Sequence, residues 1–181
     1  MLVAPFKVVL DANVLFPFSL RDTLLRAAAA GLFQLYWFED ILDETTRNLV
    51  GTGTISDEQA ARLRAAMTRA FPESMVIGYE SLVDVMPNES KDRHVAAAAV
   101  KAGAQVIVTN NLKDFRTLPD GIEAQSADEF LCNLFDLVPG ARAGGGAPEP
   151  ASVIRRAAWG ARETVPEFAR GVAHHAGTTL P

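Results

Sequence analysis

Cysteine, histidine and positive charge are all scarce in this sequence. Its 181 residues include one cysteine, Cys132, and three histidines. A single cysteine excludes an intramolecular disulfide, and no cysteine cluster exists for a structural zinc ion. The formal net charge is −5 at pH 7, which argues against nucleic-acid binding through a global positive field. Any such binding must therefore rely on local Lys and Arg side chains or on a bound cation.

Long apolar runs are absent as well. No segment approaches the roughly 18 consecutive apolar residues that span a bilayer, and the first ten residues lack the basic leader of a signal peptide. Apolar residues nevertheless make up 49% of the chain, enough for one α/β domain with a small extra element. We expect a soluble protein of a reducing cytoplasm, with no membrane partner.

Short apolar runs alternate with helical patterns over residues 1–138. Strands are predicted at residues 7–10, 33–37 and 105–109, with weaker candidates at 75–78 and 122–124. Helices are predicted at residues 23–31, 39–49, 56–71, 90–102 and 126–137, and Ser56 with Gln59 and Ser126 with Glu129 form capping boxes at two starts. Ser90 is the expected N-cap of the helix that Gly103 ends. This alternation predicts an α/β fold with a mostly parallel sheet flanked by helices.

The composition changes after residue 138. Residues 139–151 are rich in Gly and Pro and predict a linker without regular structure. Residues 152–181 then form a short C-terminal extension, with two helices predicted at 152–162 and 166–176. We therefore divide the chain into a main α/β domain (1–138), a linker (139–151) and a helical extension (152–181).

Acidic residues occur where the predicted strands end. Asp11 follows the first strand, and the loop from Thr109 to Asp114 follows the strand at 105–109. Ligands of open α/β sheets bind outside the carboxyl ends of the strands. If the two strands are central and parallel, both segments lie on one rim of the sheet.

Two helical acids are candidates for the same rim. Asp92 shares a helical face with Val95, Ala96 and Ala99, so its carboxylate needs a partner if that face is buried. Glu44 flanks the apolar stripe of its helix, whereas Asp43 lies farther from the stripe.

Converging carboxylates repel one another unless a cation neutralises them. A ligand set made of oxygen atoms suits Mg²⁺ or Mn²⁺ rather than zinc. Such a cation can bind a phosphate, activate a water molecule and stabilise a leaving oxygen. The pattern therefore favours metal-assisted hydrolysis of a phosphodiester without a protein nucleophile.

Four short motifs in order resemble those of PIN-domain ribonucleases. Residues 9–15 (VLDANVL) resemble the opening motif with Asp11 as its acid, and residues 41–47 (ILDETTR) resemble the second with Glu44. Residues 91–97 (KDRHVAA) and 108–115 (VTNNLKDF) match the third and fourth, with Asp92 and Asp114. The tail around residues 165–168 (VPEF) is similar to that of the toxin branch related to VapC.

The resemblance implies a Mg²⁺- or Mn²⁺-dependent endoribonuclease that leaves 5′-phosphate and 3′-hydroxyl ends. It implies a catalytic set of four acids: Asp11, Glu44, Asp92 and Asp114. Asp11, Asp92 and Asp114 would be the metal ligands, and Asn13, Thr109, Asn111 and Arg93 would contact the substrate or shape its site. It also implies a toxin of a toxin–antitoxin pair, with RNA as substrate, a separate antitoxin protein as partner, and frequent homodimerisation.

Two positions depart from the family pattern. Asn111 stands where many PIN domains have an acid, and it offers a carbonyl oxygen without charge. Lys91 precedes Asp92 where an acid is common, so it either pairs with a neighbouring carboxylate or contacts the RNA backbone. With Asn111 in that position, a catalytically silent PIN domain that binds RNA or protein is the alternative function.

Each site residue also has a purely structural interpretation. Asp11 and Asp114 could cap a turn or loop, Asp92 could favour a helix N-terminus, and Glu44 could pair with Arg47 on the surface. His94 is expected to be structural. A further rival function, a phosphatase with a covalent aspartyl intermediate, is disfavoured because Asn13 replaces the second acid of that family's Asp-x-Asp pattern.

Overall fold

The computed structural model describes residues 6–137, 163, 165–167 and 169–170. The predicted linker at 139–151 and most of the C-terminal extension lie outside the described residues. Positions 166–167 and 169–170 are helical, as predicted for the second helix of the extension. Within the described part of the chain, no helix is both long enough and apolar enough to cross a membrane.

The core of the fold is a four-stranded sheet in which every pair of neighbours is parallel. The strands are β1 (Lys7–Leu10), β2 (Gln34–Tyr36), β3 (Val106–Val108) and β4 (Glu123–Gln125), in the order β2-β1-β3-β4. This confirms the predicted α/β class and the mostly parallel sheet.

The two central strands are buried except at Lys7, the first residue of β1. Val8, Val9 and Leu10 of β1 have no exposed surface, and Val106, Ile107 and Val108 of β3 are buried. Successive side chains of a strand point to opposite faces of the sheet. Their common burial means that both faces of the central strands are covered, as expected for parallel strands.

Six helices accompany the strands in the described residues. They are α1 (Ala12–Leu15), α2 (Phe18–Ala29), α3 (Glu39–Gly51), α4 (Asp57–Ala70), α5 (Arg93–Ala102) and α6 (Ala127–Leu137). Short 3₁₀ turns occupy Glu80–Val85, Ser90–Asp92 and Leu112–Phe115.

Two compact units divide the described residues. One contains residues 6–16 and 34–125, and therefore the whole sheet and every candidate site residue. The other contains residues 17–33 and 126–137 with the described residues between 163 and 170. In this second unit, Phe33 and Phe130 pack edge to face with ring centroids 5.1 Å apart.

Helix α5 in the sheet-containing unit packs against β1 and β3. Its inner face is a run of small residues, and Ala96 through Ala99 are all fully buried. Gly103 ends the helix in the left-handed region, with φ of 65°, a conformation that glycine adopts without steric cost.

Helices α3 and α4 are joined by two ion pairs. Arg64 of α4 binds both Glu39 and Asp43 of α3. Asp43 thus forms a structural ion pair with Arg64, in agreement with the prediction that it lies farther from the apolar stripe than Glu44. The capping box of Ser56 and Gln59 is present in full at the start of α4.

Three local predictions were wrong. Ser90 does not cap the helix that follows, because a 3₁₀ turn at Ser90–Asp92 intervenes and α5 begins at Arg93. Residues 75–78 contribute a single bridge from Met75 to Trp37 rather than a strand. The second helix begins at Phe18 and not near Thr23, since Pro17 sets an extended entry and Phe18 itself remains exposed.

Candidate active site

Asp11 is positioned by the register of the two central strands. Leu10 of β1 is paired with Val108 of β3, and the Asp11 backbone N–H donates to the Val108 carbonyl at 3.1 Å. The residue after β1 therefore lies beside Thr109, the residue after β3. This is the shared rim that the sequence predicts.

The Asp11 carboxylate accepts hydrogen bonds on both oxygens. Its Oδ1 accepts from the Ala12 backbone N–H at 2.7 Å, and this bond caps the short helix α1. Its Oδ2 accepts from Asn13 Nδ2 at 2.6 Å and from the Thr109 hydroxyl at 2.7 Å. The structural interpretation of Asp11 as a cap is thus correct, and it accounts for one of the two oxygens.

Thr109 connects the two sides of this hydrogen-bond network. It is fully buried, and its hydroxyl accepts from Asn13 Nδ2 at 2.9 Å and from the Asn111 backbone N–H at 3.1 Å while it donates to Asp11. The Asn13 carbonyl in turn accepts from the Asn110 backbone N–H at 2.9 Å. Asn13 and Thr109 therefore orient the Asp11 carboxylate and the loop after β3.

The environment of Asp11 opposes its ionisation. Burial raises the pKa of the Asp11 carboxyl above its ordinary value, and the hydrogen bonds from Thr109 and the Ala12 backbone oppose this shift. The charge of Glu44 raises the pKa further, whereas His94 lowers it. A buried carboxylate with this balance gains from a nearby positive charge.

Asp114 lies in the 3₁₀ turn at Leu112–Phe115, and the residue is 7% exposed. Its Oδ2 accepts hydrogen bonds from Asn111 Nδ2 and from the Lys91 ammonium group. The hydrogen bond from Lys91 is the main reason that the pKa of Asp114 lies below its ordinary value. Asn111, which replaces an acid of the family pattern, thus donates to Asp114 in this structure through its amide nitrogen.

Lys91 joins Asp114 to Asp92. Its Nζ is 3.7 Å from Asp92 Oδ2 in addition to its contact with Asp114. Of the two roles that the sequence left open for Lys91, the structure shows the pairing with a carboxylate. A tethered cation therefore lies between two of the predicted metal ligands.

Asp92 precedes α5 and makes no capping hydrogen bond to it. Its Oδ2 is buried and has no hydrogen-bond partner among the described residues. Burial raises the pKa of the Asp92 carboxyl, the ammonium of Lys91 lowers it, and the charges of Asp11 and Asp114 raise it. The Asp92 carboxylate is thus within electrostatic reach of both Asp11 and Asp114.

Glu44 is half-buried on α3, whose stripe of Phe38, Ile41, Thr45 and Leu49 is buried as predicted. Among the described residues it forms no ion pair, so the surface pair with Arg47 is not seen. Glu44 and Asn13 line the same open cavity of about 520 Å³. The influence of Glu44 on Asp11 is electrostatic.

Arg93 forms no hydrogen bond or ion pair with the other predicted site residues. Its Nε donates to the Asn88 backbone carbonyl at 3.2 Å, and the side chain lines a separate cavity next to Asp114. The remaining predicted residues are brought together from four segments: 11–13, 44, 92 and 109–114.

The side chains of this site have the donor chemistry of a divalent-cation site. Carboxylate, hydroxyl and amide oxygens are the donors that Mg²⁺ and Mn²⁺ prefer. The unpartnered Oδ2 of Asp92 and the ammonium of Lys91 beside Asp114 both indicate a place for positive charge. Within the described residues, however, no three Asp, Glu, His or Cys side chains are close enough together to hold a metal ion. The donor chemistry fits a hard cation, and the carboxylates are within electrostatic reach without meeting at one point.

The sequence did not identify His94 and Asn88 as neighbours of the site. His94 packs edge to face on Phe38, with ring centroids 5.5 Å apart, which is the structural role expected of it, yet its charge also acts on Asp11. Asn88 is buried beside Arg93 and has no motif around it. The Pro-Asn-Glu-Ser stretch at 87–90 has the composition of a turn, so nothing in it distinguishes a site residue.

Comparison with known proteins supports the same family as the motifs do. The family model described as "PIN domain" matches residues 7–113, more than half of the chain. The match includes Asp11, Glu44 and Asp92 and ends one residue before Asp114.

One curated protein of Mycobacterium tuberculosis, named "Putative ribonuclease VapC50", is 46% identical to this chain over 74 residues. The similarity spans 39% of this chain and 41% of that protein, so less than half of the relative is covered. No solved structure gives a significant match. The family-model match, the four-stranded parallel sheet and the acids after β1 and β3 agree, and the chain belongs to the PIN-domain family.

Proposed function

We propose that this protein is an endoribonuclease that hydrolyses RNA phosphodiester bonds with Mg²⁺ or Mn²⁺ as cofactor, and that it is the toxin of a toxin–antitoxin pair. The observation that carries the proposal is the grouping of Asp11, Asp92 and Asp114 with Glu44, drawn from separate segments of a PIN domain. Carboxylates grouped in this way repel one another, and a cation relieves that repulsion. Similarity to a protein named as a ribonuclease adds support.

Asp11, Asp92 and Asp114 would hold the cation. When bound, the cation would polarise the phosphate and lower the pKa of a water molecule. Asn13 and Thr109 keep the Asp11 carboxylate in a single orientation through hydrogen bonds of 2.6 Å and 2.7 Å. That orientation limits the reorganisation needed during the reaction, which is how a preorganised site lowers a barrier.

Glu44, like Asp11, forms no ion pair among the described residues, but unlike Asp11 it is not already held by hydrogen bonds on both carboxylate oxygens. It is therefore the carboxylate available to accept a proton from the attacking water. Lys91 would leave Asp114 and contact the substrate phosphate once a stronger cation binds the carboxylates. Arg93, near the same rim, would contact the RNA backbone.

The remaining assignments belong to the same proposal. A separate antitoxin protein would cover the acidic site, the toxin would form homodimers, and the protein would act in the cytoplasm, where a single cysteine needs no partner. Residues 139–151 would link the PIN domain of 1–138 to the extension of 152–181.

Cleavage of a mixed RNA pool tests the proposal. The purified protein is incubated with Mg²⁺ or Mn²⁺ and with EDTA, and Asp11→Asn is compared with Asp57→Asn, which neutralises an exposed acid on α4. We expect cleavage that requires the metal, leaves 5′-phosphate ends and persists in Asp57→Asn. In Asp11→Asn it should fall by more than about 10-fold, because even the loss of an outer-shell partner of a metal site costs roughly 10–100-fold.

Two outcomes would contradict the proposal. Equal inactivity of wild type and Asp11→Asn, without metal binding by calorimetry, would favour the silent binding domain, which the position of Asn111 keeps open. Equal activity of the two proteins would point to a contaminating nuclease or to a different active site.

A further inference from the structure

A second cavity is lined in part by Asp114. It has a volume of about 490 Å³ and is lined by residues 87–90, 93, 113–114 and 116–117. That volume falls in the range of small-ligand sites, roughly 300–1,000 Å³. Asp114 therefore belongs both to this cavity and to the candidate active site.

Asn88 in the wall of this cavity has an unsatisfied side chain. The residue is 5% exposed, and neither its Nδ2 nor its Oδ1 has a hydrogen-bond partner among the described residues. A buried amide without partners is costly, and such groups in native proteins call for an explanation. The stability of the free protein gains nothing from this amide.

The same cavity carries positive charge. Arg93, Lys113 and Arg116 line it, and the latter two are exposed and form no ion pair with any described residue. Of its two acids, Asp114 is already bound by Lys91, and Glu89 is exposed. In a chain of net charge −5, a local group of cations beside an acidic site is a distinct surface feature.

Cations and an amide together fit one class of ligand. Arg and Lys bind the phosphates of a nucleic-acid backbone, whereas an Asn amide offers one donor and one acceptor to the edge of a base. A simple anion would use the cations and leave the amide donor and acceptor unmatched. Unpaired bases of single-stranded RNA expose the edges that such an amide can read.

We propose that this cavity binds one nucleotide of single-stranded RNA adjacent to the cleaved phosphate, with Lys113 and Arg116 on its backbone and the Asn88 amide on its base. The proposal rests on the proposed ribonuclease function and adds a specificity-determining residue to it. Arg93 donates to the Asn88 backbone carbonyl at 3.2 Å and lines the same cavity. Asn88 turns its amide toward the base on binding.

Binding and cleavage are measured separately, so that this inference and the ribonuclease function can fail independently. Binding uses Asp11→Asn protein in EDTA with a fluorescent single-stranded RNA pool, followed by anisotropy at several salt concentrations. Lys113→Ala with Arg116→Ala should weaken binding and reduce the salt slope by about 0.7 for each RNA phosphate that the variant no longer neutralises. Arg69→Ala, which removes an exposed charge from the last turn of α4, is the control and should change neither quantity.

Cleavage-site sequencing tests the interaction with the base. Asn88→Leu keeps the number of heavy atoms and the branching of the side chain and removes a buried unpaired amide, so its thermal stability should equal or exceed that of wild type. Wild type should prefer certain bases at one position next to the cut, and this preference should fall roughly fivefold or more in Asn88→Leu. A structural role for Asn88 would not move the base preference.

The outcomes separate the two proposals. Unchanged binding in the double variant, together with an unchanged base preference in Asn88→Leu, would overturn the nucleotide site while cleavage by wild type still supports the ribonuclease. Loss of binding in the double variant without any cleavage by wild type would support the nucleotide site and contradict the nuclease.

Discussion

The two ends of the candidate site are stabilised by different interactions. Around Asp11, the hydroxyl of Thr109 and the amide of Asn13 form a buried network in which both carboxylate oxygens are paired. Around Asp92 and Asp114, an exposed lysine supplies the positive charge, and the buried Oδ2 of Asp92 has no hydrogen-bond partner among the described residues. At the first end, neighbouring residues of the fold already supply the hydrogen bonds of the Asp11 carboxylate. At the second end, the carboxylates depend on positive charge, either from Lys91 or from a bound metal ion.

The largest expected effect is on the stability of the Asp11 end. Thr109→Val keeps the shape of a fully buried residue but deletes a hydroxyl that makes three hydrogen bonds. Buried partners left unsatisfied cost about 1–3 kcal/mol, so the free energy of unfolding in urea should fall by that amount. Thr45→Val is the matched control, because Thr45 is equally buried and its hydroxyl bonds only the Ile41 carbonyl within α3. Equal decreases in the two variants would show that the network does not stabilise this end.

Strand register explains why the Asp11 end could be predicted from the sequence. β-branched runs before Asp11 and before Thr109 predict central parallel strands, and parallel neighbours bring their carboxyl ends to the same rim. The side-chain bonds among Asp11, Asn13 and Thr109 then follow from proximity. The four-residue helix α1 was not predicted, because its single turn arises from the Asp11 cap and not from apolar periodicity.

The Asp92 end was harder to predict from the sequence. The predicted apolar face of Val95, Ala96 and Ala99 is buried, but Asp92 lies in the 3₁₀ turn before α5 and not in the first turn of the helix, and this turn carries Lys91 to Asp114. Turns of that kind depend on interactions between segments that are distant in sequence, and the local propensities of the residues do not predict such interactions. Asn88 was missed for the same reason, because no local sequence pattern identifies a buried side chain that lacks hydrogen-bond partners.

A smaller effect is expected when the tethered cation is removed. Lys91→Ala frees the Asp114 carboxylate from an ammonium that is 63% exposed. An exposed ion pair contributes up to about 1 kcal/mol, so the affinity for Mn²⁺ measured by calorimetry should rise about fivefold at most. Lys101→Ala removes a charge from the exposed last turn of α5 and should leave the affinity unchanged. Weaker Mn²⁺ binding in Lys91→Ala would mean that the ammonium supports the metal site rather than competing for it.

The smallest effect distinguishes Asp92 from Asp114 through the pH dependence of stability. The folded-state pKa of Asp92 is raised above the ordinary 3.8, mainly by burial, so the ionised form is disfavoured in the folded protein. Asp92→Asn should match wild type below pH 3.8 and become the more stable protein as the pH rises through the folded pKa. The pKa of Asp114 is lowered, mainly by Lys91, so its contribution is present above 3.8 and is lost as the pH falls through the folded pKa. Asp114→Asn should therefore be less stable than wild type at neutral pH, with a difference that disappears in acid. Unfolding midpoints in EDTA across this pH range check both signs, and the same sign for both variants would mean that Lys91 neutralises the two carboxylates equally.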